Sequence, residues 1–205
     1  MRDQPLTLPF DQPELPADLA WHCEPSDWSL DGAKGVLRLA PDRKTDFWQR
    51  THYGFAADNG HVLYLRTESD FILQATVTNH PVQQYDQAGL IVRCSDGCWC
   101  KTSCEYEPDE PNNLGAVVTN DHYSDWSTQP LDHEITTVHY RMTVNGPTVL
   151  VHASTDGEHW AQIRMAHLAE REERAEVWCG LYACCPTDSG FVAEFHELTY
   201  QPLGA

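Results

Sequence analysis

Polar side chains recur at alternate positions along two neighbouring stretches of this sequence. Gln87 and Arg93 fall on one face of a predicted strand whose other face is apolar, and Lys101 and Glu105 fall on one face of the next. An amide, a guanidinium, an ammonium and a carboxylate on one surface can hydrogen-bond the hydroxyl groups of a neutral ligand. The same groups can form ordinary cross-strand ion pairs, either Arg93–Glu105 or Lys101–Glu105. The residues alone leave both interpretations open.

Aromatic residues next to acids complete the candidate site. A sugar presents an apolar ring face and a rim of hydroxyl groups, so a site for it needs aromatic surface as well as polar groups. Tryptophans at such positions are equally typical of a core, and tyrosines beside acids are typical of loops. The predicted ligand-binding residues are Asp46, Trp48, Tyr85, Asp86, Gln87, Arg93, Lys101, Glu105, Tyr123, Asp125 and Trp126.

A catalytic role would need two carboxylates in different protonation states. Glycoside hydrolysis uses a protonated acid together with an ionised base or nucleophile. The candidates are Glu105, Asp125 and Asp86, but both aspartates are also typical of residues that cap turns. Glu105 and Glu107 share a face, yet an acidic loop flanked by prolines follows them at once. We therefore predict a non-catalytic binding module, with a glycoside hydrolase or lyase and a regulatory protein-interaction module as alternatives.

Strands must position these groups. The sequence contains about a dozen short segments with strand patterns, separated by turn residues, which is typical of a β-sandwich or barrel. Four prolines indicate that residues 1–20 form an extended arm, so we predict one domain over residues 21–202. Residues 166–176 are the only stretch that predicts a helix.

The charge of the chain restricts its partners. Asp and Glu number 31 against 13 Lys and Arg, and the formal charge of −18 repels nucleic acid and anionic membranes. A neutral polar ligand, a second copy of the chain or a protein partner remains compatible with it. The chain begins without the apolar run of a signal peptide, and no stretch approaches the roughly 20 apolar residues that span a bilayer. We therefore expect a cytoplasmic protein.

Four of the eight cysteines follow a C-x3-C-x-C-x3-C spacing between Cys94 and Cys104. Structural zinc sites more often use C-x2-C pairs, so we predict no metal site, no cofactor, and thiols that act as small hydrophobic side chains. A reducing cytoplasm argues against disulfides, although the even number of cysteines leaves them open. Calcium at the acidic loops around Asp109 and residues 121–125 remains an alternative.

Five sequence blocks, in order, resemble the DUF1349 (regulation-of-enolase-protein-like) family. They are TDFWQRTHYGF (45–55), YDQAGLIVR (85–93), VTNDHYSDWS (118–127), STDGEHW (154–160) and VWCGLYACCP (177–186). The resemblance implies an all-β fold with little helix, a concanavalin A-like jelly-roll sandwich of two antiparallel sheets of which one is concave. Related jelly rolls bind or cleave carbohydrate, so it also implies a pocket on the concave sheet for a saccharide or other polyhydroxylated small ligand.

Overall fold

Two antiparallel β-sheets stacked face to face form the structure, a computed structural model that describes residues 1–204. Within these residues the strands are numbered β1 to β17 in chain order. In spatial order the eight-stranded sheet contains β15 (Ala161–His167), β14 (Thr148–Ser154), β13 (Thr137–Asn145), β8 (Asp70–His80), β17 (Val192–Leu203), β4 (Val36–Ala40) and β3 (Asp27–Asp31), with β1 (Leu6–Leu8) also paired to β17. The seven-stranded sheet contains β12 (Tyr123–Leu131), β11 (Asn112–Asn120), β10 (Cys98–Glu105), β9 (Gln87–Ser95), β16 (Val177–Cys184), β7 (His61–Thr67) and β2 (Ala20–His22). The predicted all-β, concanavalin A-like jelly-roll sandwich is confirmed.

Alternating side chains build the core between the two sheets. In β9 the inward residues are Ala88, Leu90 and Val92, all fully buried, and β8 supplies Leu73 and Val77 from the facing sheet. Apolar area that is removed from water stabilises the fold by about 25 cal/mol per Å², and this burial holds the two sheets together. The residues that alternate with them in β9 are left on the outward face of the seven-stranded sheet.

A separate hairpin lies on that outward face. Strands β5 (Phe47–Gln49) and β6 (Ala56–Asp58) form a two-stranded sheet of their own. The Phe47 side chain is fully buried, and its ring centroid lies 6.0 Å from that of Trp99. The part of the outward face beneath this hairpin is called the covered half. The part at the Glu105 end of β10 is called the open half.

The predicted helix over residues 166–176 is wrong. Strand β15 occupies its start, and the only helix in the described part of the chain is a four-residue 3₁₀ helix, Ala169–Glu172. Leu168 is fully buried in the core, and the Arg171 guanidinium donates a hydrogen bond to the carbonyl oxygen of Ser69. These two anchors hold the segment against the sandwich, and its charged residues offer no apolar stripe that would favour a longer helix.

The N-terminal arm contributes a strand to the eight-stranded sheet. Leu6–Leu8 pairs with residues 198–200 of β17, and both Leu8 and Phe10 are buried in the core. The arm is therefore packed against the sandwich over these residues. The domain boundary at residue 20 stays a prediction.

The cysteines are all free thiols. Cys100 and Cys104 lie in the core between the sheets, as expected for small hydrophobic side chains, whereas the adjacent Cys184 and Cys185 face opposite sides of their sheet. Among residues 1–204, no group of three or more His, Cys, Asp or Glu side chains is placed to hold a metal ion. Over the same residues, no helix has the length and apolar character needed to cross a bilayer.

Candidate functional site

Strand register brings several of the predicted polar residues to the open half. Gln87 of β9 lies opposite Glu105 of β10, and Lys101 of β10 lies opposite Val117 of β11. Trp126 of β12 in turn lies opposite Val117 and therefore shares this face. Strands β9 to β12 thus place an amide, an ammonium, a carboxyl and an indole on one surface, as the alternation in the sequence predicts.

Small residues lie across the strands between the Gln87–Glu105 pair and Lys101. Gly89, Ser103 and Gly115 lie opposite one another on β9, β10 and β11. A Cβ atom on Gly89 would lie 1.9 Å from the carbonyl oxygen of Thr102, and a Cβ on Gly115 would similarly clash with a backbone oxygen of β12. Larger side chains are therefore excluded at both glycines. No side chain projects from the sheet at these two glycines, so a ligand can approach the backbone closely.

Gln87 is the centre of the polar network and is 3% exposed. Its Oε1 accepts hydrogen bonds from Lys101 Nζ at 2.8 Å and from the Tyr182 hydroxyl at 3.1 Å. Its Nε2 donates to Glu105 Oε2 at 2.8 Å and to the carbonyl oxygen of Tyr85 at 3.1 Å. Because an ammonium group can only donate, Lys101 determines which end of the amide is the oxygen. The Gln87 amide is thus fixed in one orientation.

Glu105 is held in its protonated form by its surroundings. Burial, together with the carboxylates of Asp46 and Glu107, raises the pKa of Glu105 to about 8, against the opposing effects of the Lys101 ammonium and the Gln87 hydrogen bond. Oε2 accepts the Gln87 hydrogen bond, and within the described residues Oε1 makes none. Near neutral pH the Glu105 carboxyl group can therefore donate a hydrogen bond as well as accept one.

Lys101 links the open half to the hairpin. Its ammonium lies 3.6 Å from Asp46 Oδ1 and 5.4 Å from the ring centroid of Tyr182. Asp46 is in turn held at the start of β5, because its Oδ1 accepts from the amide of Phe47 and its own amide donates to Asn59. The buried Lys101 side chain is thus compensated by a carboxylate, an amide oxygen and an aromatic ring.

Three exposed aromatic side chains border the open half. Trp126 is 37% exposed, Tyr85 is 39% exposed, and Tyr53, in the turn between β5 and β6, is 56% exposed. Burial raises the pKa of Tyr85, and the charges of Glu107, Glu105 and Tyr53 raise it further. These rings offer apolar faces beside the polar network, the combination that a sugar ring needs.

Arg93 lies outside the open half, although it was predicted to bind ligand. The register pairs it with Trp99 rather than with Glu105, so the alternative Arg93–Glu105 ion pair is wrong as well. In the covered half the Arg93 guanidinium forms a two-pronged ion pair with Asp58 of β6, and it lies 5.5 Å from the ring centroid of Trp178. Arg93 therefore attaches the hairpin to the sheet.

Trp48 and Asp86 also have packing roles in place of the predicted ligand contacts. Trp48 is 8% exposed, and its indole N–H donates to the carbonyl oxygen of Thr51. Asp86 is 2% exposed, and its Oδ2 accepts from the amides of Val82 and Gln83. Asp86 organises the turn before β9 and shares the inward side with Ala88, because it precedes Gln87 by one residue. Neither residue is presented to a ligand.

Asp125 and Tyr123 are exposed but face away from the open half. Asp125 lies opposite Val118, an inward-facing core residue, so it projects to the other side from Trp126. Tyr123 has the same parity, and the Arg50 guanidinium lies 5.8 Å from its ring centroid. Of the three catalytic candidates, only Glu105 therefore reaches the site.

Sequence reasoning missed Tyr53, Tyr182 and Ser103. Tyr182 lies opposite Gly89, accepts a hydrogen bond from Ser103, and donates to Gln87. The alternation in residues 99–105 already places Ser103 with Lys101 and Glu105, so that residue could have been found. Tyr53 could not, because its position depends on the hairpin folding back over the sheet.

Comparison with known proteins identifies relatives of the chain. The family model described as "Protein of unknown function (DUF1349)" matches residues 21–203. Regulation of enolase protein 1 from Saccharomyces cerevisiae is 36% identical over 171 residues, which cover 83% of this chain and 84% of the yeast protein. Both the sequence pattern and its order along the chain are therefore shared with other proteins.

Solved structures share the sandwich. A functionally unknown protein from Saccharomyces cerevisiae superposes with a TM-score of 0.82 at 33% identity, over 92% of this chain and 98% of that one. Xylan beta-1,4-xylosidase from Bacillus halodurans C-125 superposes with a TM-score of 0.77 over 98% of this chain but only 40% of the xylosidase. At 16% identity, the second likeness shows the fold alone.

Proposed function

The chain belongs to the DUF1349 family, and we propose that it is a non-catalytic module that binds a carbohydrate or other polyhydroxylated small ligand in the open half. Glu105 supplies the polar contact, the buried side chains of Gln87 and Lys101 hold it in place, and Tyr53, Tyr85 and Trp126 supply the apolar contacts. The cytoplasm is the proposed location, since eight free thiols are typical of a reducing compartment.

The observation that carries this proposal is the fixed polar network beside exposed rings. The Gln87 amide is held by Lys101 and Tyr182 on one side, and it holds Glu105 on the other. The free Glu105 oxygen is thus positioned before any ligand arrives, so little conformational entropy is lost on binding. Groups fixed in this way are typical of a binding site.

The charge of the surroundings favours a neutral ligand. The whole chain carries a formal charge of −18, which repels anions. In the open half the Lys101 ammonium is already paired with Asp46, and Glu105 is uncharged near neutral pH because burial raises its pKa to about 8. Hydroxyl groups, which donate and accept, fit such a site. The likeness in fold to a protein that acts on xylan is consistent with a sugar.

One observation favours a glycoside hydrolase as the second candidate. A glutamic acid with a pKa of about 8 is suited to protonate a leaving-group oxygen near neutral pH. Asp46, one of the carboxylates that raise the pKa of Glu105, is engaged by Lys101 at 3.6 Å. An ammonium at that position stabilises the carboxylate and lowers its reactivity towards a sugar carbon or a water molecule. We therefore place binding before hydrolysis.

A protein-interaction module is the third candidate, and the name of the yeast relative is consistent with it. The exposed side chains of Tyr53 and Phe55 at the tip of the hairpin offer apolar surface to a partner. Enolase binding to the purified chain, measured by size-exclusion chromatography and unaffected by sugars, would favour this candidate over the first.

Calorimetric titration with neutral saccharides tests the proposal. The panel contains xylose, glucose, galactose and arabinose with their oligomers. We expect at least one of them to bind, and Trp126→Ala to weaken that binding tenfold or more, about 1.4 kcal/mol, because a stacking surface is lost. The matched control is Asp125→Ala, which changes the adjacent residue on the opposite face and should leave the affinity unchanged.

Two results would reject the binding proposal. One is the absence of binding for every saccharide in the panel, and the other is equal affinity in the wild-type protein and the Trp126→Ala variant. Chromogenic aryl glycosides separate binding from hydrolysis. If the wild-type protein cleaves these substrates and Glu105→Gln abolishes cleavage but keeps the affinity, the protein is a glycoside hydrolase and not a non-catalytic module.

A further inference from the structure

Cys94 and Cys98 lie beside one another at the turn between β9 and β10. The register pairs Arg93 with Trp99 and Ser95 with Cys98, so a β-bulge places Cys94 next to the Cys98–Trp99 peptide. Cys98 belongs to the core between the sheets, and Cys94 packs against the same core. Both thiols therefore point to the inward side of one sheet from neighbouring strands.

The two thiols interact with one another and with Asn120. A proton on one thiol favours ionisation of the other, and the pKa of Cys94 is raised while that of Cys98 is lowered. Cys98 Sγ in turn donates to Asn120 Oδ1 at 3.3 Å. Thiols at neighbouring positions of adjacent strands, both on the inward side, require only a small movement to reach the geometry of a disulfide.

The pair is reachable from solvent through one member. Cys94 is partly exposed and lines a cleft of about 520 Å³, whose walls include Arg93, Trp178 and Glu176. Cys98, by contrast, is fully buried behind it. This arrangement of an accessible thiol in front of a buried one differs from that of Cys100, which is fully buried in the core.

We propose that Cys94 and Cys98 form a reactive dithiol that closes to a reversible intramolecular disulfide by exchange with a small-molecule disulfide entering this cleft. The accessible Cys94 reacts first, and Cys98 resolves the adduct. This site lies on the inward side of the sheet and is independent of the open half.

The disulfide forms by two successive thiol–disulfide exchange steps. After the pair has lost one proton, the remaining proton moves to Cys98, and the Cys94 thiolate attacks one sulfur of the incoming disulfide, so that a Cys94–S–S–R bond forms and one thiolate R–S⁻ leaves. The Cys98 thiolate then attacks Cys94 Sγ and expels the second R–S⁻. Both thiolates take up the protons that the two cysteines have lost. The protein dithiol is thereby oxidised, and the small disulfide is reduced to two thiols.

The bond would tie the turn to its neighbours more firmly. Ser95 Oγ donates to Glu170 of the 3₁₀ helix at 2.7 Å, and the Gly97 carbonyl oxygen accepts from the amide of His122 at the β11–β12 turn. Two other segments thus lie against the closed loop. Because the loop is short, the disulfide restricts the unfolded chain only slightly, and the change in melting temperature should be small.

Peptide mapping of the full chain in glutathione redox buffers tests this proposal. The exposed Cys23 is first changed to serine, because it would form adducts of its own. In oxidised buffer we expect one tryptic species in which Cys94 and Cys98 are linked with the loss of two hydrogen atoms, and dithiothreitol should reverse it. In the same background, Cys98→Ser should instead accumulate a stable glutathione adduct at Cys94.

Cys104→Ser is the matched control, since Cys104 is a buried cysteine of the same strand. It should leave the Cys94–Cys98 link and its midpoint potential unchanged. A Cys94 adduct that persists when Cys98 is intact would overturn the proposal. So would the absence of any modification of the 94–98 pair at potentials where Cys23 in the wild-type chain is fully modified.

Discussion

Phe47 in the covered half and Glu105 in the open half show how differently the two halves of one sheet face are completed. In the covered half the hairpin buries Phe47 against Trp99, and the ion pair of Arg93 with Asp58 attaches it. In the open half the polar side chains bind one another, and exposed rings surround them. Strand β9 contributes to both halves, so a single alternating sequence supplies a core at one end and a candidate site at the other.

The two halves differ because the hairpin covers one of them, and not because the outward-facing residues of β9 differ in burial. The outward-facing residues of β9 are buried in both halves, yet only the covered half has apolar side chains from a second segment packed above it. In the open half, hydrogen bonds and ion pairs among the polar side chains take the place of that packing. Substitutions in the covered half should therefore mainly change stability, and those in the open half should mainly change ligand affinity and pH dependence.

Phe47→Ala should have the largest effect on stability. The ring is fully buried among Trp99, Tyr182 and His22, so its removal leaves a cavity and should lower the free energy of unfolding by about 3–5 kcal/mol. Urea denaturation followed by tryptophan fluorescence measures it. A loss below about 1 kcal/mol would show that the hairpin contributes little, and the contrast between the halves would disappear.

Asp58→Ala should have the next largest effect. It leaves the Arg93 guanidinium, which is mostly buried, without its carboxylate, and we expect a loss of about 1–3 kcal/mol because the Asp58 side chain is itself 30% exposed. Saccharide affinity should stay the same, since the pair lies in the covered half. Denaturation and calorimetric titration of the same preparation measure both quantities. Weaker saccharide binding with unchanged stability would show that Arg93 contributes to ligand binding, as the sequence predicted.

Glu105→Gln should change how stability depends on pH. The folded chain binds a proton at Glu105 up to a pH of about 8, whereas the unfolded chain releases it at the ordinary pKa, so wild-type stability falls as pH rises between these values. Relative to the variant, we expect the wild-type protein to lose about 2 kcal/mol between pH 5 and pH 8, a figure reduced for the partial exposure of Glu105.

Thermal denaturation at a series of pH values measures this loss. The control is Glu158→Gln, which removes the same charge at an exposed position and should leave the wild-type pH profile unchanged. Parallel profiles for the wild-type protein and Glu105→Gln would contradict the protonated state of Glu105. A saccharide that accepts a hydrogen bond from this group should also bind more weakly above pH 8.

Tyr53→Ala should have the smallest effect on stability. The side chain is 56% exposed, so the free energy of unfolding should change by no more than about 0.5 kcal/mol. Saccharide affinity should nevertheless fall by about threefold to tenfold, because one apolar face is lost beside Tyr85. The control is Met165→Ala, which changes an exposed side chain on the other sheet and should leave the saccharide affinity unchanged; calorimetric titration of both variants gives the comparison. Equal affinities would remove Tyr53 from the site.

The alternation of residue types predicts much of this molecule. The opposite parity of Leu90 and Gln87 determines which side of β9 enters the core, and the same rule places Lys101 and Glu105 together. Applied one residue earlier, it would also have excluded Asp86, which shares the parity of Ala88. Applied to β12, it separates Asp125 from Trp126. These two errors came from grouping neighbours in sequence that lie on opposite faces.

Contacts between distant segments could not be predicted in this way. The alternation in β9 gives no indication that Arg93 would meet Asp58, a residue of the hairpin, rather than Glu105. Trp48 is buried in the cluster that the hairpin forms with the sheet, and that burial follows only from the folded arrangement. The charged segment ending at Glu176 contains good helix formers, but burial of Leu168 and Arg171 outweighs that intrinsic preference.

The hairpin of β5 and β6 is hydrogen-bonded as a strand pair only to itself, and neither sheet needs it to complete a ladder. Insertions or deletions at its tip, around Gly54, would thus leave the scaffold intact while altering how far it reaches across the sheet. The length of the hairpin tip would therefore determine which saccharide fits the proposed site. A longer tip would leave room only for the terminal sugar of a saccharide, and a shorter tip would let an extended oligosaccharide lie across all the strands.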